Sequence, residues 1–192
     1  MAHLLHLDSS ISGERSASRA ITAAFAEAWT GTVTYRDLAA DPLPYLADAD
    51  QHWHPTAFQR QIIDELLAAD VVLIGAPMYN YSVSATLKTW IDHVHVPDVT
   101  TGGMQPLAGR TAVVATSRGI AYDAGSPTEG WDHNTPVLEL ILGTAFGMNV
   151  EVITASYTLA ERVPELAPML DRSRAELAAA IAAAAIAASR LS

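Results

Sequence analysis

The sequence predicts an α/β protein in which five parallel strands form one sheet, in the order 2-1-3-4-5, with helices on both faces. Short apolar runs alternate along the chain with longer segments of helical periodicity, which is typical of parallel strands joined by right-handed crossovers. The third and fourth runs are the most apolar and the second is the least. Because a strand buried on both faces is almost wholly apolar, we place the third and fourth strands centrally and the second at an edge.

Five segments are predicted to be strands from their apolar, partly β-branched character. They are His3–Leu7, Thr32–Asp37, Val71–Ala76, Thr111–Ala115 and Val150–Thr154. The third segment is expected to be the central strand and to stop at Pro77, since proline has no main-chain donor. Sheets of this kind bind ligands at the carboxyl ends of their strands, and this order makes the loops after strands one and three flank one crevice.

Helices are predicted where apolar residues recur at intervals of three and four. The predicted helices are Ala17–Trp29, Thr56–Ala69, Ala85–Val96, Val137–Phe146 and Pro164–Arg190. Ser16 is a typical N-cap for the first helix, Pro97 ends the third, and Gly147 closes the fourth. The chain has 192 residues and no internal repeat, so we predict a single domain over residues 1–192.

The composition limits the possible classes of function. The formal net charge is -10, from 11 basic and 21 acidic residues, which argues against nucleic-acid binding by phosphate neutralisation. The chain has no cysteine, which excludes thiolate nucleophiles and iron–sulfur clusters, so redox chemistry would need an organic cofactor. No apolar run approaches the roughly 20 residues of a membrane span, and the first residues do not resemble a signal peptide. We expect a cytoplasmic protein with no membrane partner.

The loop after the first strand is rich in serine and leads into a helix. Ser10, Ser16, Ala17 and Ser18 are candidates for an anion site, because hydroxyl groups and free amides at a helix N-terminus bind phosphate oxygens. The alternative is that Ser16 is only a cap and the other serines fill the loop. Neither a GxGxxG motif nor a Walker motif is present, so nucleoside triphosphate hydrolysis and dinucleotide binding on this loop are not expected.

The loop after the third strand combines apolar, aromatic and amide groups. It contains Pro77, Met78, Tyr79, Asn80 and Tyr81. An isoalloxazine ring needs a flat apolar surface and amide-like groups at its polar edge, and this loop can supply both. The alternative is that Met78 and Tyr79 are ordinary core residues, that Asn80 forms a turn and that Tyr81 lies on the surface.

The loop after the fourth strand supplies a third group of candidates. These are Ser117, Arg118, Gly119 and Ile120. Gly119 would permit close approach of the backbone to a ring, whereas Arg118 is either a charge directed at the site or an exposed loop arginine. The seven histidines show no metal-binding spacing and no GxSxG motif is present, so a metal site and serine hydrolase chemistry are not expected.

Together these stretches resemble the FMN-dependent NADH-azoreductases, a flavodoxin-like family of NAD(P)H:quinone oxidoreductases. The most specific string is PMYNYSVSATLK, residues 77–88, which is similar to the family pattern Pro-Met-Tyr-Asn-aromatic followed by Leu-Lys. The strings SSI at 9–11, SxS at 16–18, RDLA at 36–39 and SRG at 117–119 add to the resemblance. The similarity extends over nearly the whole chain in the order of its elements.

The resemblance implies a flavodoxin-like fold and an FMN site. It implies that Ser10 and the Ser16–Ser18 turn hold the phosphate, that Met78–Tyr81 pack along the isoalloxazine, and that Ser117–Ile120 border its pyrimidine side. It further implies a homodimer with active sites at its interface. NADH or NADPH would reduce the flavin and leave before a quinone or azo compound takes two electrons, in ping-pong order, with no side chain as nucleophile.

The sequence departs from the family pattern around the expected substrate pocket. Ile120 stands where the family has glycine, and residues 98–109 lack the aromatic residues that cover the flavin in the family. Tyr122, Trp131 and Trp53 are candidates to replace them. The family string L-G-F-x-G appears as L-G-T-A-F-G, which displaces Phe146, a further candidate for the pocket.

Two alternative functions remain: a non-catalytic flavin protein that carries electrons or acts as a sensor, and a reductase dedicated to one secondary metabolite.

Overall fold

A five-stranded parallel sheet forms the centre of the molecule. The structure is a computed structural model and describes residues 1–192. Its strands are β1 (His3–Asp8), β2 (Thr32–Asp37), β3 (Val71–Pro77), β4 (Thr111–Ser117) and β5 (Asn149–Ala155). All neighbouring strands are parallel and their order is β2-β1-β3-β4-β5. The predicted fold class and strand order are therefore confirmed.

Helices cover both faces of the sheet. They are α1 (Ala17–Ala28), α2 (Ala57–Ala68), α3 (Ala85–Val94), α4 (Thr135–Leu138) and α5 (Leu170–Leu191). Short 3-10 turns occupy Gly13–Arg15, Ala49–His52 and Pro164–Met169. None of these helices has both the length and the apolar character needed to cross a membrane.

Two apolar cores lie on opposite faces of the sheet. One is formed by α2, α3 and α4, and the other by α1 and α5. Every residue of β3 is buried, which explains its continuous apolar sequence. The edge strand β2 has no buried residue. Burying a leucine, isoleucine or phenylalanine side chain contributes about 1.5–3 kcal/mol, so these two layers hold the loops at the carboxyl edge in place.

Local sequence determines where the helices begin. Ser16 accepts a hydrogen bond from the Arg19 amide at the start of α1, as its predicted role as an N-cap requires. Ser84 caps α3 by accepting from the Leu87 amide. Satisfying an otherwise unpaired amide in this way typically stabilises a helix by about 1 kcal/mol.

The central strand is one residue longer than predicted. Pro77 was expected to stop it, but Pro77 pairs in register with Ser117. The amide of Met78 then donates to the Ser117 carbonyl at 2.9 Å. Because proline removes only its own donor, the ladder continues across it at the end of the strand.

The helix predicted over residues 137–146 differs in its hydrogen bonding. It begins at Thr135 and becomes a π-helix over Glu139–Ala145. The amide of Phe146 donates to the carbonyl of Ile141, five residues earlier. A π-turn accommodates one extra residue, and the string L-G-T-A-F-G is one residue longer than the family string L-G-F-x-G. Phe146 has no exposed surface and belongs to the core, so the expectation that it borders a substrate pocket is wrong.

Candidate functional site

A cavity of about 1260 Å³ opens at the carboxyl edge of the sheet. Its walls come from the loops after β1, β3, β4 and β5, from the first turn of α1, and from α3 and α4 with its π extension. Nine of the predicted site residues line it: Ser10, Ser16, Ala17, Pro77, Met78, Tyr79, Asn80, Ser117 and Gly119. Ser18, Tyr81, Arg118 and Ile120 do not line it, and neither do Tyr122, Trp131, Trp53 and Phe146. The structure thus brings three separate loops to one cavity.

One end of the cavity is formed by the N-terminus of α1. The amides of Ala17 and Ser18 have no acceptor within the helix, because the first turn lacks preceding carbonyls. The hydroxyl of Ser18 lies 3.1 Å from that of Ser16 and is fully buried. Ser18 therefore supports the Ser16 cap through its side chain. Free amides at the positive end of a helix dipole make this end of the cavity suitable for a phosphate.

Arg19 fixes the loop that precedes this helix. Its Nε and Nη2 donate to the main-chain carbonyl of Ser10 at 3.3 and 2.9 Å. The carbonyl of Ser10 and the amide of Ile11 belong to one trans peptide unit and point in opposite directions. The Ile11 amide donates to the hydroxyl of Tyr79 at 3.1 Å. Arg19 thereby directs one amide of the serine-rich loop toward a residue of the β3 loop.

A buried acidic group lies behind this loop. Asp8 accepts hydrogen bonds from Thr22 at 2.9 Å and from Tyr35 at 3.2 Å. Gly75 leaves room for it, since a Cβ at residue 75 would approach Asp8 Oδ1 to 2.4 Å. Burial, together with the carboxylates of Asp8 and Asp37, raises the pKa of Tyr35. The Tyr35 hydroxyl therefore stays protonated and can donate to Asp8.

Asp37 completes the support of Arg19. Arg19 Nη2 donates to Asp37 Oδ1 at 2.7 Å. This hydrogen bond is the main reason that the pKa of Asp37 lies below its ordinary value, and amides of Ala39 and Ala40 add to the effect. The same bond raises the pKa of Arg19. The guanidinium of Arg19 therefore forms a charge-assisted hydrogen bond with Asp37 and also donates to the Ser10 carbonyl.

The β3 loop turns sharply beside the cavity. Tyr79 and Ser82 exchange main-chain hydrogen bonds of 3.0 and 3.1 Å. Between them, Asn80 and Tyr81 have φ values of +48° and +72°, a conformation that asparagine tolerates better than most residues. The hydroxyl of Tyr79 lies 3.1 Å from Ser10 Oγ. Tyr79 therefore joins this loop to the serine-rich loop instead of acting as a core residue.

Arg118 is neither an exposed loop residue nor a charge in the cavity. Its side chain is about one-tenth exposed and bonds to Ser156 Oγ from Nε at 3.2 Å and from Nη2 at 2.8 Å. Nη2 also donates to Asp123 at 2.9 Å, and Nη1 lies 3.6 Å from Asp132. The guanidinium therefore ties the long loop after β4 to the end of β5. This corrects both interpretations of Arg118 drawn from the sequence.

The loop after β4 carries an aromatic cluster that also includes Tyr81. The ring of Tyr81 lies edge-on to Tyr122 at 6.4 Å and to Trp131 at 5.7 Å between centroids. Tyr81 and Trp131 are about half exposed. Burial, with Tyr81 and Asp132 nearby, raises the pKa of Tyr122. Trp53 is 63% exposed, follows the 3-10 turn at 49–52, and is not a member of the cluster.

Several lining residues were not predicted from the sequence. They are Ile11, Ser12, Arg15, Ser82, Val83, Ser84, Ala85, Thr86, Lys88, Ile91, Val137, Ile141, Thr158, Leu159, Glu161 and Arg162. Residues 158–162 follow β5, whose carboxyl end lies at the same edge of the sheet, so strand order alone could have indicated them. The amide of Leu159 donates to the Gly119 carbonyl at 3.2 Å. A Cβ at residue 119 would meet Leu159 Cδ1 at 2.7 Å, so glycine allows this approach.

The arrangement is suited to an elongated ligand with a phosphate at one end and a flat ring. Amides and hydroxyls gather at the N-terminus of α1, and the opposite wall carries apolar side chains from α3 and from the α4 helix and its π extension, Ile91, Val137 and Ile141. No group of three or more His, Asp or Glu residues is arranged to hold a metal ion.

Comparison with known sequences identifies a matching family and a relative that is similar over nearly the whole chain. A profile of the family described as "Flavodoxin-like fold" matches residues 2–181. A protein of Kineococcus radiotolerans named FMN-dependent NADH:quinone oxidoreductase is 56% identical, over 96% of this chain and 97% of its own length.

Comparison with solved structures supports the fold. The azoreductase from Bacillus anthracis strain Sterne superimposes with a TM-score of 0.78 at 21% identity, covering 99% of this chain and 100% of that one. An FMN-dependent NADH-azoreductase from Bacillus anthracis strain Ames Ancestor, solved in complex with FMN, gives a TM-score of 0.76 at 17% identity and covers 100% and 99%.

Proposed function

The chain belongs to the flavodoxin-like family of FMN-dependent NADH:quinone oxidoreductases, and on this premise we propose that it reduces quinones or azo compounds by two electrons, with NADH or NADPH as donor, in ping-pong order. The observation that carries the proposal is that a helix N-terminus with free amides and an apolar wall line the same cavity. A phosphate-bearing flavin requires both features.

The donor groups in the cavity fit FMN. Ser10, Ser16 and the amide of Ala17 would hold its phosphate, Pro77 to Asn80 would lie along its ring, and Ser117 and Gly119 would border the polar edge. When bound, FMN supplies the transfer of a hydride equivalent between donor and acceptor. The rest of the cavity provides apolar contact from Met78, Ile91 and Ile141.

This chain contributes binding and orientation. Arg19 fixes the Ser10 peptide from behind, so hydrogen bonds within the chain orient the serine-rich loop. The side chain of Asn80 is positioned by a left-handed turn at the cavity wall and can donate and accept hydrogen bonds at a ring edge. Preorganised polar groups of this kind stabilise negative charge that develops on a bound ring. No nucleophilic side chain is required.

Further proposals concern assembly and location. We propose one domain over residues 1–192, a cytoplasmic homodimer, and a substrate pocket completed by Tyr122 and Trp131. The cluster supports the last point because Tyr81 directly follows the cavity residue Asn80, and the half-exposed rings of Tyr81 and Trp131 are available to a ring-shaped substrate. Size-exclusion chromatography with light scattering measures the assembly; a monomer at all concentrations would contradict the dimer.

Steady-state kinetics tests the proposed function. Initial rates are measured with NADH against 1,4-benzoquinone and against the azo dye methyl red, each at several fixed concentrations of the other substrate. Ping-pong order predicts parallel double-reciprocal lines, since donor and acceptor use the site in turn. A protein that binds FMN but oxidises neither NADH nor NADPH in the presence of these acceptors would instead be an electron carrier or sensor.

A further inference from the structure

Three arginines have no partner in a chain that otherwise pairs its cations. Of the 11 lysine and arginine side chains, all but Arg15, Arg60 and Arg162 form an ion pair or a hydrogen bond: Arg19, Arg36, Lys88, Arg110, Arg118, Arg172, Arg174 and Arg190. Two of the three unpartnered arginines, Arg15 and Arg162, line the cavity described above. Arg60 lies on α2 and does not line it.

The two arginines lie on the same side of the cavity, in the segments that follow β1 and β5. Arg15 ends the 3-10 turn just before α1, and Arg162 precedes the 3-10 turn that leads into α5. The helices α1 and α5 pack side by side on the same face of the sheet. Both residues therefore belong to the rim on that face, whereas Val137 and Ile141 line the wall on the opposite face.

The cavity is cationic although the protein is acidic. Its charged lining residues are Arg15, Lys88, Glu161 and Arg162. Lys88 is paired with Asp92, and Glu161 lies 4.0 Å from Arg174. The two free charges are thus both positive, in a chain with a formal net charge of -10. Exposed guanidinium groups held near a cavity without a carboxylate partner are available for an anionic ligand.

The cavity is larger than one cofactor needs. Its volume of about 1260 Å³ exceeds the roughly 300–1,000 Å³ of typical ligand pockets. The loop that carries Arg162 follows β5, which is three strands from β1, or about 14 Å along the sheet edge. A single phosphate held at the N-terminus of α1 does not account for an unpaired arginine on the β5 side of the cavity. A dinucleotide carries a diphosphate at its centre, and NADPH adds a 2′-phosphate at its adenosine end, so such a ligand can offer phosphate oxygens to both loops.

We propose that Arg15 and Arg162 bind phosphate groups of the nicotinamide dinucleotide donor and so determine donor affinity separately from FMN affinity. The inference rests on the proposed function, which requires such a donor to enter the same cavity. Guanidinium groups match phosphate oxygens in geometry and charge. The amides and hydroxyls of the α1 N-terminus suffice for the FMN phosphate.

The test uses Arg15→Met, Arg162→Met, the double variant and Arg60→Met as matched control. Binding of NADP⁺ and of NAD⁺ to FMN-loaded protein is measured by isothermal titration calorimetry, because the oxidised nucleotides cannot reduce the flavin. FMN affinity is measured separately from the quenching of flavin fluorescence. We expect the double variant to bind NADP⁺ at least tenfold more weakly and FMN within twofold of wild type, and Arg60→Met to change neither.

The binding measurements either support or overturn the proposed contact between these arginines and the nucleotide. Equal losses for NAD⁺ and NADP⁺ support contacts with the diphosphate, and a larger loss for NADP⁺ supports contact with the 2′-phosphate. Unchanged nucleotide binding in the double variant, or a loss of FMN affinity as large as the loss of nucleotide affinity, overturns the inference. Anaerobic mixing of wild-type holoprotein with NADH tests the proposed function separately, because arginine-dependent nucleotide binding without flavin bleaching would contradict that function alone.

Discussion

Arg19 donates two hydrogen bonds to the main-chain carbonyl of Ser10, at 3.3 and 2.9 Å. The contact lies behind the loop, on the side away from the Ile11 amide. The Arg19 side chain does not line the cavity. It nevertheless fixes the direction of the Ile11 amide, a main-chain donor of the serine-rich loop. The relationship makes Arg19 a positioning residue for the phosphate end of the site.

Replacing Arg19 with lysine is expected to weaken FMN binding. A lysine lacks the planar guanidinium that donates to both the Ser10 carbonyl and Asp37. The serine-rich loop is therefore expected to lose its fixed orientation. We expect the dissociation constant for FMN to rise about tenfold, equivalent to about 1.4 kcal/mol, as measured by flavin fluorescence. Arg36→Lys is the control, because Arg36 is also ion-paired and its side chain is 19% exposed against 18% for Arg19. Equal losses of FMN affinity in both variants would contradict a specific role.

The pKa of Asp37 predicts a pH-dependent contribution to stability. Its pKa is lowered by Arg19 in the folded state, so its stabilising effect is present above the unfolded pKa and is lost as the pH falls through the folded pKa. Asp37→Asn is expected to lower the free energy of unfolding at pH 7 by about 1 kcal/mol and to have a smaller effect at pH 3. Urea unfolding of both proteins at the two pH values measures this difference. A deficit that is the same at both pH values would rule out titration of Asp37 as its cause.

Removing the guanidinium of Arg118 is expected to loosen the loop after β4. Arg118→Met removes the donor that bonds to Ser156 Oγ and the cation next to Asp132, and losing hydrogen bonds to a charged group costs about 2 kcal/mol. Hydrogen exchange of amides 119–134 is expected to accelerate, with the Michaelis constant for 1,4-benzoquinone raised more than the dissociation constant for FMN. Unchanged exchange in this loop would show that its order does not depend on Arg118.

The aromatic cluster is predicted to act on the substrate. Trp131→Ala removes one of the two edge-on partners of Tyr81, an interaction worth about 1 kcal/mol. The change is expected to raise the Michaelis constant for quinone about fivefold while FMN affinity changes less. Trp53→Ala serves as the control, since Trp53 lies outside both cavity and cluster. The reverse order of effects would assign Trp131 to cofactor retention or to packing.

Local patterns predicted much of the fold and part of the site. The strand order followed from the difference between the apolar β3 and the exposed β2, and the Ser16 cap followed from its position before a helical repeat. The three loops of the cavity were found because parallel strands end at one edge. The same argument applies to the loop after β5, where Arg162 was missed because it stands in no motif.

Other features depend on contacts distant in sequence. Arg118 is buried because Ser156 and Asp132 meet it from other parts of the chain, and nothing near residue 118 indicates this. Phe146 enters the core because a π-turn takes up an extra residue, which helical periodicity alone does not show. The link from Tyr79 to Ser10 spans 69 residues and follows only from the pairing of β1 with β3.

The most direct test of the central claim is anaerobic reduction of the purified holoprotein. One equivalent of NADH per flavin is added and the flavin absorbance is followed, and one equivalent of 1,4-benzoquinone is then added. We predict complete bleaching by NADH and complete recovery with the quinone, since both reagents use the same cavity. A flavin that keeps its absorbance with excess NADH and with excess NADPH would contradict the proposed function.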